Sequence, residues 1–174
     1  MGCYLVSGEG KGTPANKPRT RTQSRAAAVQ ALFQSEASGE NPETVIDQFV
    51  RHRLGEQPRL EGFDDGQIPQ ADVPLFTNIV RGAAKNGAKL DAIIGEHLAA
   101  NWPLERLDPV LRALLRAAAA ELSMGKDPPA RVVINEYLDI AHGFLAEDGP
   151  RFANGVLDAL ARHLRGAEFT GQAR

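Results

Sequence analysis

A chain of 174 residues with 43% apolar side chains can bury a core as one domain, or as two small subdomains sharing one. Its single cysteine, Cys3, excludes a disulfide framework and a cysteine-built zinc site and fits a reducing cytosol. The net charge of −2 conceals an uneven distribution, and no apolar run approaches the ~20 residues that span a bilayer, so no membrane association and a cytoplasmic location are expected. Cys3-Tyr4-Leu5-Val6 is too short for the core of a signal peptide and no basic segment precedes it. Abundant Ala and Leu, few β-branched runs and no alternating stretch predict an all-α protein.

Residues 1–20 combine glycine and proline with no periodicity and are expected to form a flexible arm. Gly10-Lys11 does not begin a phosphate-binding loop, because that pattern needs glycine where Leu5 stands and Ser or Thr where Gly12 stands. From Gly10 to Ser35 the chain carries Lys11, Lys17, Arg19, Arg21 and Arg25 and no acidic residue. Such a run is either a solubilising tail or a clamp on the phosphate backbone of a nucleic acid. The first helix is predicted from about Thr22 to Ala37, with Val29, Leu32 and Phe33 as its apolar stripe and Gly39 as its stop. Asn41 then caps a second helix with Pro42 at its first position and Val45, Ile46, Phe49 and Val50 inward. The stretch from Gly55 to Ala71, with scattered Leu60, Phe63 and Ile68, reads as a surface loop.

Asp72 is expected to cap a third helix that buries Phe76, Ile79, Val80 and Ala83, with Gly82 permitting close packing. Asn86-Gly87 breaks it, and Leu90, Ile93, Ile94 and Leu98 mark a fourth helix. Asn101-Trp102-Pro103 turns the chain; Trp102 is read as a plug at this turn, the alternative being an exposed platform for a base. Asp108-Pro109 opens a fifth helix whose Val110, Leu111, Leu114, Leu115, Ala118 and Leu122 make it the most apolar and place it centrally. Lys126-Asp127-Pro128-Pro129 ends it.

The stretch from Val132 to Leu164 reads as two further helices joined by one short corner. Val133, Ile134, Tyr137, Leu138, Ile140 and Ala141 give the first an apolar face, and Gly143 is expected to stop it in a left-handed turn. Asp148 is expected to cap the second, with Pro150 in its first turn and Phe152, Val156, Ala159, Leu160 and Leu164 continuing the pattern. Asp148, Arg151 and Phe152 thus meet at the mouth of a helix N-terminus, where partial positive charge and free N–H groups favour phosphate. Periodicity alone would make Phe152 a core residue; its place in the first turn, flanked by Arg151 and Asp148, lets it reach the rim and stack on an unpaired base. Asn154 and Gly155 are read as structural.

Ile134-Asn135-Glu136, then Ala146-Glu147-Asp148 and Phe152-Ala153-Asn154-Gly155-Val156-Leu157-Asp158-Ala159-Leu160, resemble the carboxy-terminal signature of the NusB family of bacterial transcription antitermination factors. The resemblance continues through Val29-Gln30-Ala31-Leu32-Phe33, Leu90-Asp91, Leu111-Arg112 and Glu121-Leu122, covering roughly residues 19 to 165. It implies about seven helices in two packed three-helix subdomains, here a helical RNA-binding domain over 21–165 followed by a flexible tail over 166–174. It further implies a non-enzymatic protein that pairs with NusE, a ribosomal small-subunit protein, and holds boxA-type single-stranded RNA. The pair would act on the RNA polymerase elongation complex indirectly, preventing termination in ribosomal RNA operons. On this resemblance Lys17, Arg19, Arg21 and Arg25 neutralise phosphates, Arg151 assists, Phe152 stacks on a base, and Asp148 accepts from a base edge or holds the loop. A NusE-facing surface involves Phe33, Glu105 and Arg106. The basic run is thinner than the family's usual one, and Gly149, Pro150 and Arg151 depart from its more polar pattern at the corner.

Other chemistry finds less support. Glu136, Asp139 and His142 share a helical spacing, but a carboxylate-bridged di-metal bundle needs a second Glu-x-x-His unit and two more glutamates, so a solvated face is expected. His52, His97 and His163 have no fixed relation in sequence, and Cys3 in an arm makes a poor nucleophile. No catalytic residue, metal or cofactor is expected. Two other readings stand beside the antitermination factor: the RNA-binding part of a ribosomal RNA cytosine methyltransferase, for which the chain ends too soon at Arg174, and a helical scaffold without RNA binding. The helix pattern is compatible with a monomer and with a homodimer.

Overall fold

The computed structural model describes residues 17–54 and 71–171, and of 17–19 the backbone alone. The expectations for residues 1–16, and for the 55–71 loop with Leu60, Phe63 and Ile68, lie outside this part except at Ala71. Among the described residues there are seven α-helices and two 3-10 turns: α1 (Lys17–Ser38), α2 (Pro42–His52), α3 (Val73–Lys85), α4 (Gly87–Glu96), a turn at Leu104–Arg106, α5 (Pro109–Ser123), α6 (Ala130–Phe144), α7 (Gly149–Arg165) and a turn at Gly166–Glu168. None of these helices is long and apolar enough to cross a membrane.

Three of the helix starts follow directly from their cap residues. Asn41 accepts a hydrogen bond from the Glu43 amide at 2.9 Å, Asp72 from Leu75 at 3.0 Å, and Asp108 from Val110 and Leu111 at 2.8 and 3.2 Å. A proline in the first turn of each forfeits no helical bond. Gly39 ends α1 with φ of 72°, the left-handed conformation that glycine adopts without steric cost.

The helices pack as two groups around one shared spine. α1, α2 and α3 pack on one another, and so do α5, α6 and α7, while α5 also packs on α1, α3 and α4. The central place of α5 rests on its composition: Leu111, Leu114, Leu115 and Leu122 are buried together with Ala113 and Ala117 to Ala120, so large side chains on some faces alternate with close approach on others. On α1 the inward face is small: Ala27, Ala28, Val29 and Ala31 are buried, Leu32 is half-buried, and Phe33 turns outward at 38% exposure. Phe49 of α2 stacks on Phe76 of α3 at 5.6 Å between ring centres and closes the first group.

Four local expectations need correction. α1 begins at Lys17, so the last residues of the expected arm are already helical. Gly143 does not stop α6: the helix runs to Phe144 and ends as Leu145 turns extended, with φ of −107° and ψ of 147°. Gly82 is not sterically required, since an added Cβ would meet Ala120 and Met124 at 3.7 Å, ordinary contact. The expected tail at 166 opens instead with the turn Gly166–Glu168, and the guanidinium groups of Arg131 and Arg162 lie 5.9 and 4.9 Å from the ring centre of Phe169.

Candidate nucleic-acid interface

The basic run on α1 divides into two kinds of residue. Lys17 and Arg19 stand on the first helical turn. Arg21 is exposed, with its side chain 3.5 Å from the Asp72 carboxylate at the start of α3. Ser24, one turn on, is buried; it donates to the Thr20 carbonyl and accepts from the Asp72 amide at 2.8 Å, fixing this end of α1 to α3. Arg25 does not face solvent at all. Its side chain is 3% exposed and donates to both Glu121 oxygens of α5, at 2.7 to 3.1 Å, and to Glu136 of α6 at 3.0 Å. Tyr137 completes the cluster by donating to Glu121 at 3.0 Å, and Thr22 donates to Glu136. Arg25 is therefore withdrawn from the phosphate-binding set. A helix positions residues by rotation, and 25 falls on the inward face where 21 does not.

The electrostatics of this cluster are those of a fully matched buried pair. Burial works against the Arg25 charge, but the hydrogen bonds it donates to Glu121 and the negative charge of that carboxylate outweigh it and raise Arg25 above its ordinary value. Burial also pushes the Tyr137 hydroxyl well above its ordinary value, reinforced by the charge of Glu121 and by the bond it donates there. Glu136 is consequently not the solvated side chain expected, whereas Asp139 and His142 are exposed.

At the other end of α6 the chain makes its corner. Asp148 occupies the N-cap position of α7 but in helical geometry, φ −89° and ψ −12°, and its side chain makes no cap bond; its carbonyl accepts from the Phe152 amide at 3.0 Å. The expected capping role is corrected: the exposed carboxylate is left facing solvent beside the helix entrance. The corner's indispensable glycine is Gly149, not Gly143. A Cβ at 149 would lie 2.6 Å from the Leu145 Cβ, too close for any side chain, while one at 143 would meet nothing within 4 Å. Pro150 and Ala153 anchor the first turn in the core, which leaves Arg151 exposed and Phe152 on the rim at 36% exposure. Asp148, Arg151 and Phe152 are thus brought together on one turn and presented outward.

Helix α1, tied to α3 at its start, and helix α7, which opens with the aromatic-arginine-carboxylate turn, both pack on α5. The model of the NusB family matches residues 22–162. The chain belongs to the NusB family. It is 60% identical to the transcription antitermination protein NusB of Granulibacter bethesdensis over 156 residues, 90% of this chain and 96% of that one. It is similar in fold to NusB of T. maritima, with a TM-score of 0.68, 29% identity and coverage of 89% and 99% of the two chains. It is similar also to a crystal structure of the antitermination factors NusB and NusE in complex with dsRNA, with a TM-score of 0.66, 25% identity and coverage of 84% and 98%. Membership places the chain among non-enzymatic transcription antitermination proteins.

A second exposed face of this NusB-family chain gathers the remaining residues singled out from sequence. Phe33 borders a groove with Gln30, Gln34, Ala37, Phe49 and Arg53. Glu105 and Arg106 are exposed on the turn before α5. Arg112 of α5 joins the two. It donates to the carbonyls of Leu104, Glu105 and Leu107 at 3.2 to 3.3 Å and pairs with Glu36, one turn from Phe33 on α1. Arg116 also reaches Glu36, and holds Asp91 of α4 at 2.7 Å. The hydrogen bond from Arg112 leads the effects that hold the Glu36 carboxyl below its usual range; burial opposes it and the two arginine charges reinforce it. Sequence reasoning missed this network because its members lie 76 and 80 residues apart. Trp102 is not the buried plug expected: it is 53% exposed, beside Asp91, Leu98 and Pro103.

Proposed function

We propose that this NusB-family protein binds boxA-type single-stranded RNA jointly with NusE and so opposes premature termination in ribosomal RNA operons. The observation that carries the reading is the exposed first turn of α7, where Phe152 and Arg151 stand beside an Asp148 carboxylate that makes no cap bond. A base stacked on Phe152 contributes about 1–3 kcal/mol, Arg151 neutralises a neighbouring phosphate, and Asp148 accepts from a base amino group. Lys17, Arg19 and Arg21 extend phosphate contact along the start of α1, and Phe33, Glu105 and Arg106 form the surface for NusE. Kinship to a NusB seen with NusE and dsRNA supports RNA and NusE as the general kinds of partner.

The test is fluorescence anisotropy of a labelled boxA-type RNA over a salt series, with and without NusE. The four cations assigned to phosphate here, Lys17, Arg19, Arg21 and Arg151, would make log affinity fall with log salt at a slope of about −3. Tightening by NusE is expected. The burial of Arg25 favours one other reading, an interaction scaffold that binds NusE without RNA. A slope near zero with intact NusE binding would establish the scaffold instead.

A further inference from the structure

Two histidines without a common motif meet where α4 ends and α7 ends. His97 is the C-cap of α4, and His163 lies in the last turn of α7. Their rings pack edge to face, 5.3 Å between centres at 80°. Glu96, the last residue of α4, brings a carboxylate oxygen to 3.9 Å from His163 Nδ1. One nitrogen of His97, Nε2, is shut off from solvent and has no hydrogen-bond partner. One ligand-capable atom from each of the three residues lies within 4.8 Å of the others.

We propose that Glu96, His97 and His163 bind one first-row transition-metal dication, Zn2+ being the fitting choice, which clips the end of α4 to the end of α7. A surface His–Glu pair alone would account for Glu96 and His163 but leaves His97 Nε2 unsatisfied, a group that ordinarily finds a partner. Two imidazoles and one carboxylate suit zinc or its neighbours, whereas Mg2+ and Ca2+ take all-oxygen sets. Metal–ligand bonds of about 2.0–2.2 Å put ligand atoms roughly 3.4 Å apart in a tetrahedron, so the cluster must tighten on binding. Its outer members can do so. The Glu96 and His163 side chains are 62% and 40% exposed and free to rotate towards the half-buried His97. The same exposure leaves the fourth position to water. The site is a clip between elements: α4 packs chiefly on α5 and less closely on α7, so a shared ion would tie the end of one to the other.

The test uses the full chain, freed of metal by a chelator, and titrates Zn2+ by calorimetry and Co2+ by absorbance. One saturable ion per chain is expected, with the visible bands of low-coordinate cobalt, a higher Tm with Zn2+, and loss of affinity by at least about tenfold in each of His163→Gln and Glu96→Gln. Both positions are exposed, so these variants fold, as circular dichroism would verify; His97→Gln should behave alike. His52→Gln, on exposed α2 surface, should bind as the parent does. Absence of saturable binding to the folded chain, or binding that survives both His163→Gln and His97→Gln, would overturn the proposal.

Discussion

Arg25 and Arg151 look equivalent in a list of charged residues, and the structure gives them opposite tasks. Arg25 lies inside, its guanidinium forked onto Glu121 and reaching Glu136, so that one side chain joins α1, α5 and α6. Arg151 lies outside on the first turn of α7, beside Phe152 and the free edge of Asp148. The first arrangement satisfies charges within the protein and leaves nothing for a partner. The second holds its polar groups in water, where a ligand can replace the solvent. A basic run is therefore not one functional unit: helical rotation assigns each member separately to frame or surface.

The largest effect should come from breaking the frame. Arg25→Met strands the Glu121 carboxylate, and removing one member of a buried pair costs about 3–5 kcal/mol, read as a lower urea midpoint. Arg25→Met combined with Glu121→Gln should recover part of that loss, because the stranded charge is gone. Gly149→Ala comes next. The clash with Leu145 Cβ should cost roughly 1–3 kcal/mol of stability and displace the turn that carries Phe152, weakening RNA binding as well. Phe152→Ala should reverse that pattern, losing about 1–3 kcal/mol of RNA affinity by anisotropy while stability stays within ~0.5 kcal/mol.

Smaller effects sharpen the same contrast. Because Glu36 titrates below its usual range in the folded chain, its contribution to stability is complete above the ordinary carboxylate pKa of about 4.3 and fades as pH falls from there through the depressed value. Glu36→Gln should flatten that part of the urea-midpoint profile. Arg21→Gln should be the mildest change, reducing the salt slope of RNA binding by about 0.7 and leaving stability nearly unchanged, since its pairing with Asp72 is exposed.

What the sequence made legible were the features written in a few adjacent residues. Asn41-Pro42, Asp72 and Asp108-Pro109 each specify a helix start through one side chain and one neighbouring proline, and Gly39 specifies a stop through its backbone. The outward turn at Phe152 was legible for the same reason, from its place just inside a helix end. Long-range partners were not. Nothing local to Arg25 announces Glu121, 96 residues away, and nothing local to His97 announces His163. The corner shows the limit most sharply. Gly143 is the glycine that local sequence singles out, and only the position of Leu145 shows that Gly149 is the one that must lack a side chain. Trp102 likewise remains outside because its turn lies at the edge of the packed helices, which hydrophobicity alone does not reveal.

The most direct test of this division is to measure RNA affinity and urea stability on Arg25→Lys and Phe152→Ala side by side, under conditions where circular dichroism shows both folded. Lysine keeps the charge but loses the forked hydrogen bonds to Glu121. Arg25→Lys should be clearly destabilised yet bind boxA-type RNA with the parental affinity and salt slope, while Phe152→Ala should be as stable as the parent and bind weakly. An Arg25→Lys variant of parental stability with altered RNA affinity, or a Phe152→Ala variant that binds RNA as the parent does, would contradict it.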